Sequence, residues 1–159
     1  MNLDDLRINP ELDLCFERIV PLTPEQVFRA WTTPALLEQW FCPKPWRAGD
    51  FDIDVRPGGQ FKCTMYGPEG EVMPNAGCYL EVVPNRKLVW TDALHGDYRP
   101  AGSAFMTGVV LMEPDPEGTR YFAMARHATA EATQQHRDMG FEAGWGAALA
   151  QLIELMQKG

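Results

Sequence analysis

The feature that most constrains this fold is a series of short segments of alternating apolar and polar residues between positions 51 and 127. Turn-forming Pro, Gly, Asn and Asp residues separate these segments at 56–59, 67–70, 84–86 and 114–118. Connections this short join antiparallel neighbours, since parallel strands need a crossover of about a dozen residues or more. After a first strand at 12–20, the segments predicted as strands of an antiparallel meander are 51–55, 61–65, 72–83, 87–93, 104–112 and 119–127.

One face of such a sheet needs a cover, and the C-terminal segment is predicted to supply it. Thr129 is a candidate N-cap, with Glu131 in the first turn. Apolar residues then recur with helical spacing at 139, 143, 146, 149, 153 and 156. Phe141, Trp145, Leu152 and Leu155 widen this stripe. We expect one continuous helix of roughly 27 residues, about 40 Å long, lying across the whole sheet.

Two short helices are predicted directly after the first strand. Thr23 and Gln26 have the spacing of a capping box, and Pro24 occupies the first helical position. Thr33 and Pro34 then start a second helix that runs through Trp40. The overall prediction is a single α+β domain at 12–159, preceded by a flexible N-terminal arm at 1–11.

Composition and charge disfavour several classes of partner. The net charge is −8, from 14 basic and 22 acidic residues, with no cluster of Lys and Arg to bind nucleic acid. No run of about 18 apolar residues is present, so no membrane insertion is expected. The start of the chain lacks an export signal, which predicts a cytoplasmic location.

The cytoplasmic environment bears on the four cysteines, because thiols there stay reduced. They are expected to be buried free thiols. The hairpin symmetry places Cys63 opposite a residue near Asn75 rather than opposite Cys78.

An ordered set of motifs between residues 13 and 157 resembles one protein family. The first half of the set comprises Phe28-Arg29-Ala30-Trp31-Thr32, Pro34, Trp40-Phe41, Pro57-Gly58-Gly59-Gln60-Phe61 and Gly67-Pro68-Glu69-Gly70. The second half comprises Tyr79-Leu80-Glu81-Val82-Val83-Pro84, Leu88-Val89-Trp90-Thr91, Gly118-Thr119-Arg120-Tyr121, Arg126-His127 and His136 through Met139-Gly140-Phe141 to Gly144-Trp145. Together they resemble the START-like (SRPBCC) superfamily, in the branch named for the activator of the ninety-kilodalton heat-shock chaperone's ATPase.

This resemblance implies the helix-grip fold, a curved antiparallel sheet wrapped around a long C-terminal helix, with two short helices after the first strand. It also implies a cavity between sheet and helix that binds lipids, sterols, polyketides or other apolar molecules. Some relatives catalyse reactions in that cavity. A likeness of fold does not assign a ligand.

The residues expected beneath the helix form one alternating set from each strand. This set is Phe61, Cys63, Met65, Leu80, Val82, Leu88, Trp90, Phe105, Thr107, Val109, Tyr121, Ala123, Ala125 and His127. The residues assigned to ligand binding are Trp40, Phe41, Trp46, Phe61, Met65, Trp90, Phe105, Tyr121, His127, Met139, Glu142 and Trp145.

Two groups of residues leave alternatives open. Gly140, Gly144 and Gly146 in the predicted helix serve either close packing or space for a ligand. His127 and His136 either satisfy backbone carbonyl groups at the strand-to-helix corner or act in proton transfer or metal binding. No HExxH, Cys/His cluster or GxSxG motif is present, so no catalytic residue, metal or cofactor is assigned.

Three functions remain in competition. The first is binding of a small apolar or aromatic molecule in an enclosed cavity bounded by Trp40, Phe61, Trp90, Tyr121 and Trp145. The second is a cyclase, hydratase or hydrolase that uses the same cavity, which requires His127, Tyr121 or Glu142 to lie within hydrogen-bond reach of another polar group. The third is a chaperone-associated interaction module. The oligomeric state and the identity of the ligand are not readable from the sequence.

Overall fold

The computed structural model describes residues 7–158, which form nine strands, four α-helices and one 3-10 turn. In chain order the elements are β1 (Asp13–Val20), α1 (Pro24–Thr32), α2 (Pro34–Trp40), β2 (Arg47–Ile53), β3 (Gln60–Tyr66), β4 (Val72–Val83), β5 (Lys87–Thr91), β6 (Leu94–His95), the 3-10 turn (Gly96–Tyr98), β7 (Arg99–Pro100), β8 (Thr107–Asp115), β9 (Gly118–Arg126), α3 (Ala130–Asp138) and α4 (Phe141–Lys158).

The main sheet has seven antiparallel strands in the order β1-β9-β8-β5-β4-β3-β2. This arrangement confirms the predicted meander, with β1 closing one edge against β9. The connection between β5 and β8, where no strand was predicted, contains the small β6–β7 hairpin. Cys63 pairs with Asn75 as predicted, and all four cysteines are free thiols.

Local signals in the sequence fix the start of α1 and the turn before β3. The Gln26 amide donates to Thr23 Oγ1 at 3.2 Å, and the Thr23 amide donates to Gln26 Oε1 at 2.9 Å. This reciprocal pair is the predicted capping box. In the turn at 56–59, the Gly59 amide donates to the Arg56 carbonyl at 2.8 Å, and Gly58 has a φ of 84°. A type II turn requires that positive φ at its third residue.

The predicted long C-terminal helix of the helix-grip fold is confirmed, but its predicted start and length are wrong, because the chain forms two helices separated at Met139 and Gly140. Gly140 has a φ of 89°, a left-handed conformation that ends many helices. The Met139 amide donates to the Gln135 carbonyl and the Gly140 amide donates to the Arg137 carbonyl, both at 3.0 Å. The long helix that remains, α4, has 18 residues and is about 27 Å long.

The helices cover one face of the sheet, and α4 lies against α1, α2 and β1. The buried residues of α4 are Phe141, Ala148, Leu149, Leu152 and Met156. Four of these five residues, all except Ala148, belong to the predicted stripe. Met139, which was also assigned to the stripe, is instead 67% exposed at the break before α4. No helix among residues 7–158 is long and apolar enough to cross a membrane.

The side chains that face the helices were predicted correctly on β3 and β5 but wrongly on β8. Val110 and Met112 face the helices, whereas Val109 lies in a smaller apolar cluster on the opposite face with Leu111 and Met124. Thr107, one pleat away from Val109, shares its face. A shift of one residue moves every side chain of a strand to the other face.

On β4 the inward side chain is Tyr79 rather than Leu80. The pairing of β4 with β5 shifts between Tyr79 and Glu81, so Leu80 is the extra residue of a bulge. Val82 returns to the predicted inward phase and contacts the core.

The predicted N-terminal arm lies only partly within the described residues, since 1–6 fall outside them. The carbonyl of Arg7 accepts a hydrogen bond from Arg126 at 3.0 Å. The Asn9 amide donates to Asp13 Oδ2 at 2.8 Å. The flexibility of the arm stays a prediction.

Candidate functional site

A continuous network of aromatic rings fills the space between α1, α2, the centre of the sheet and α4. Trp31 of α1 contacts Trp40 of α2 with ring centroids 4.9 Å apart, and contacts Trp90 of β5 at 5.1 Å. Phe61 of β3 lies 5.9 Å from Trp90 and stacks on Tyr79 of β4 at 5.1 Å. The network therefore connects three strands with the two short helices.

The network continues from the sheet onto α4 through Trp145. The indole planes of Trp90 and Trp145 are within 15° of parallel, with ring centroids 6.5 Å apart. Trp145 also contacts Phe141 at 4.7 Å, and Phe141 contacts His136 of α3 at 5.2 Å. Trp90 and Trp145 are thus the side chains through which sheet and helix meet at this end.

Gly108 on β8 gives the indole of Trp90 its position on the sheet. Gly108 and Trp90 are paired residues on neighbouring strands. A Cβ atom at position 108 would lie 2.5 Å from the Trp90 ring, which is closer than any real contact. The absence of a side chain at Gly108 therefore lets the indole lie across β8.

The four tryptophans of the network differ in how their indole N–H groups are satisfied. Trp31 Nε1 donates to the Tyr121 hydroxyl at 3.2 Å, and Trp40 Nε1 donates to the Ala30 carbonyl at 3.0 Å. Both side chains are buried, at 4% and 3% exposure. Trp90 and Trp145 are half-buried, and within residues 7–158 neither indole N–H has a hydrogen-bond partner.

The two buried tyrosines differ in the same way. Tyr121 accepts the hydrogen bond from Trp31. The hydroxyl of Tyr79 is fully buried, and within residues 7–158 it has no hydrogen-bond partner. Burial raises the pKa of both phenols well above the usual value of a tyrosine, so both remain neutral hydroxyl groups.

A pair of buried histidines borders the network at the corner between β9 and α3. Nδ1 of His127 lies 2.9 Å from the Leu12 carbonyl oxygen, and Nε2 of His127 lies 2.9 Å from Nδ1 of His136. His136 also contacts the ring of Phe105 at 4.8 Å and that of Trp145 at 6.3 Å. Burial, and then the neighbouring His127, lower the pKa of His136 to about 4.

The thiols near this region are poor nucleophiles. Burial raises the pKa of Cys42 to about 11 and that of Cys63 to about 12. A thiol reacts as its thiolate, which these values make scarce at neutral pH. Among residues 7–158 no group of three or more His, Cys, Asp or Glu side chains could hold a metal ion.

The structure brings together most of the residues that the sequence assigned to ligand binding. Trp40, Phe41, Phe61, Trp90, Tyr121 and Trp145 belong to the network or contact it directly. Phe105 and His127 join it through His136.

Four of the assigned residues lie elsewhere. Trp46 lies beside Gly67 at the turn between β3 and β4, and Met65 is a half-buried residue of β3 outside the core cluster. Met139 is exposed at the break between α3 and α4. Glu142 is exposed and forms an ion pair with Arg18 at 3.6 Å. Met139 and Glu142 therefore do not face the interior, because Gly140 ends the helical phase on which their assignment rested.

The sequence assignment missed Trp31, Tyr79, Phe141 and His136. Trp31 lies on the apolar face predicted for α1, and only its contact with Trp90 reveals its place in the network. The bulge at Leu80 concealed the inward direction of Tyr79. The sequence analysis considered His136 for a hydrogen bond to a carbonyl group, for proton transfer or for metal binding, but did not assign it to ligand binding. His136 is nine residues from His127, across the corner between the last strand and the following helix. This spacing could have indicated that the two imidazole rings meet.

An enclosed cavity was expected between the sheet and the C-terminal helix, but there the rings of the network contact one another. Two depressions, of about 480 and 440 Å³, lie on the outside of the fold. The first is lined by α3 residues that include Glu131 and by Met139 at the end of α3, and the second by β2, β3 and β4 residues that include Asp52 and Asn75. A ligand between sheet and helix would need side chains of the network to move.

Close packing does not explain the two glycines inside α4. A Cβ atom at Gly146 would have no neighbour within 4 Å, and one at Gly144 would meet only Pro43 at 3.9 Å. Each glycine lowers helix stability by about 1 kcal/mol relative to alanine. The turns of α4 on either side of Trp145 are therefore intrinsically weak and have free space beside them.

Comparison with known proteins gives the relationships of the chain. A model of the family described as Activator of Hsp90 ATPase homolog 1-like protein matches residues 21–157. No curated protein matches the sequence.

Among solved structures, a protein from Nitrosomonas europaea is 45% identical with a TM-score of 0.93, over 95% of this chain and 97% of that one. A protein from Mycobacterium smegmatis is 28% identical with a TM-score of 0.74, over 91% of this chain and 90% of that one. A protein from Rhodobacter sphaeroides shares the fold at 22% identity, with a TM-score of 0.82 over 96% of this chain and 97% of that one. The chain therefore belongs to the family of Activator of Hsp90 ATPase homolog 1-like proteins.

Proposed function

We propose that this protein binds a small planar aromatic or apolar molecule between the sheet and the first half of α4, against Trp90 and Trp145. The observation that carries this proposal is the state of these two tryptophans, which are near-parallel, half-buried and without partners for their indole N–H groups among residues 7–158. Family membership and the aromatic lining favour the same function.

Two half-buried indoles offer a guest both kinds of interaction that small-molecule sites need. Their faces provide apolar area, and stacking of aromatic rings contributes about 0.5–1.5 kcal/mol beyond burial. Their N–H groups can donate to a polar atom of the guest. Trp31 and Trp40 lack the second property, because Tyr121 and Ala30 already accept their hydrogen bonds.

Binding requires Trp145 to move, since the rings contact one another in the free protein. Gly144 and Gly146 flank Trp145 and have open space beside them, so this part of α4 can adjust at low cost. The ligand would then bind an opened conformation that is a minor population of the free protein. The apparent affinity then equals the affinity of the opened conformation multiplied by the fraction of the free protein that adopts it.

The test is a fluorescence titration with N-phenyl-1-naphthylamine, a neutral probe that emits strongly in apolar surroundings. We expect saturable binding to the wild type. Trp145→Leu should weaken binding about tenfold, through loss of stacking and of the donor. Trp46→Leu is the matched control, because it makes the same change at a half-buried tryptophan outside the network, and it should leave the affinity within about twofold.

Absence of saturable binding to the wild type would overturn the proposal, as would equal losses in the two variants. The chaperone contact and the cytoplasmic location remain predictions. The catalytic alternative also remains a prediction.

A further inference from the structure

The histidine pair at the corner of β9 and α3 has a hydrogen-bond polarity that the geometry determines. A carbonyl oxygen only accepts, so Nδ1 of His127, 2.9 Å from the Leu12 oxygen, must carry its proton. In the neutral ring Nε2 of His127 is then an acceptor. Nδ1 of His136, 2.9 Å away, donates to it.

The surroundings of the pair favour this arrangement. His127 and His136 are each 7% exposed, and neither forms an ion pair with a carboxylate in the described part of the chain. Burial without an opposite charge disfavours an imidazolium. The lowered pKa of His136 agrees with that expectation.

The series of hydrogen bonds from the Leu12 carbonyl through His127 to His136 therefore ends in an unprotonated nitrogen, Nε2 of His136. This atom has no hydrogen-bond partner among residues 7–158. Among the described residues, the Tyr79 hydroxyl is the side-chain polar atom that is fully buried and has no hydrogen-bond partner. Nε2 of His136 also has no partner in this range, so it must be at least partly accessible. His136 Nε2 is thus a partly accessible atom of a ring that contacts Phe105, Phe141 and Trp145.

We infer that His136 Nε2 is the hydrogen-bond acceptor of the ligand site, and that the site selects aromatic molecules carrying a hydroxyl group. This inference rests on the proposed function, because His136 is adjacent to Trp145, against which the guest is proposed to stack. A hydroxyl group both donates and accepts. It can therefore donate to His136 while its oxygen accepts from an indole N–H.

His127 is a positioning residue in this arrangement. By accepting from Nδ1 of His136, it keeps the proton on the side away from the guest. Without that hydrogen bond, His136 could adopt the other neutral tautomer and present a donor to the guest.

The test compares 2-naphthol with 2-methylnaphthalene, which differ by a hydroxyl in place of a methyl group, by calorimetric titration of the wild type and of His136→Asn. The amide nitrogen of asparagine lies where Nδ1 lies in histidine. The variant thus keeps the donor towards His127 and removes Nε2 together with Cε1, while the amide oxygen takes the place of Cδ2. We expect the affinity for 2-naphthol to fall about tenfold and that for 2-methylnaphthalene to change less than about threefold.

His95→Asn is the control, because it removes an exposed imidazole in the β6–β7 hairpin, and it should change neither affinity. Equal losses for both probes in His136→Asn, or no loss, would overturn the inference while leaving the proposed function intact. If neither probe binds the wild type, the proposed function and this inference both fail.

A measurement on the free protein tests the tautomer independently of binding. Long-range proton–nitrogen correlation spectra at neutral pH distinguish protonated from unprotonated imidazole nitrogens. We expect Nδ1 to be protonated and Nε2 unprotonated in both His127 and His136. Protonated Nε2 in His136 would overturn the inference, whatever the binding experiments give.

Discussion

The two pairs of tryptophans in the aromatic network differ in their relation to the rest of the fold. Trp31 and Trp40, on α1 and α2, are buried, and Tyr121 and Ala30 accept the hydrogen bonds of their indole N–H groups. Trp90 and Trp145, on β5 and α4, are half-buried and make no such hydrogen bond within the described residues. From this difference we propose that the α1–α2 side of the network serves stability and that the β5–α4 side serves ligand binding.

The stability side of this comparison predicts the largest effect. Trp40→Leu should lower the free energy of unfolding by about 3–4 kcal/mol, because it leaves a cavity and an unpaired Ala30 carbonyl in the core. Trp145→Leu should lower it by only about 1 kcal/mol, since the half-buried indole loses less buried area. Urea unfolding measures both values. Equal losses would show that the two pairs of tryptophans do not differ in role.

The histidine pair beside Trp145 leads us to predict that the free energy of unfolding depends on pH. Because the pKa of His136 is lowered to about 4 in the folded protein, the unfolded chain binds a proton at higher pH than the folded one. Stability should therefore be complete above about pH 6.5 and fall by roughly 2–3 kcal/mol as the pH drops to 4. Urea unfolding across this range checks the prediction. His136→Asn should remove this part of the decline, and an unchanged decline in that variant would refute the assignment.

Substitutions of the two buried tyrosines should have smaller effects on the free energy of unfolding, and these effects should differ from each other. Tyr121→Phe should lower the free energy of unfolding by about 1–2 kcal/mol, because it leaves the buried Trp31 N–H without an acceptor. Tyr79→Phe should leave it unchanged or raise it by up to about 1 kcal/mol, since the lost hydroxyl has no partner in the described residues. Thermal unfolding distinguishes the two variants. A clear loss in Tyr79→Phe would mean that its hydroxyl is satisfied in solution.

The sequence predicted the features that depend on local signals. Thr23 and Gln26 marked the start of α1, the glycines at 58 and 59 marked a turn, and the hairpin at 67–70 set the pairing of Cys63 with Asn75. In each case neighbours within a few residues determine the conformation. The order of strands followed from the short connections between them.

The features that the sequence did not predict depend on one residue in an ambiguous context or on distant contacts. Gly140 is compatible with a helix interior and with a helix end, and only its positive φ decides between them. The inward direction of Tyr79 depends on a bulge. The hydrogen bond between Trp31 and Tyr121 joins residues 90 positions apart, so no local pattern separates Trp31 from Trp90.

The chain contains five tryptophans, so its indole N–H groups give at most five signals in a proton–nitrogen correlation spectrum. Titration with 2-naphthol, after assignment of these signals by single substitutions, tests the central claim directly. The account predicts that the signals of Trp90 and Trp145 shift with saturation, while those of Trp31 and Trp40 move little and that of Trp46 stays in place. Saturable shifts confined to Trp46, or no shift in Trp90 and Trp145 up to the solubility limit of 2-naphthol, would contradict it.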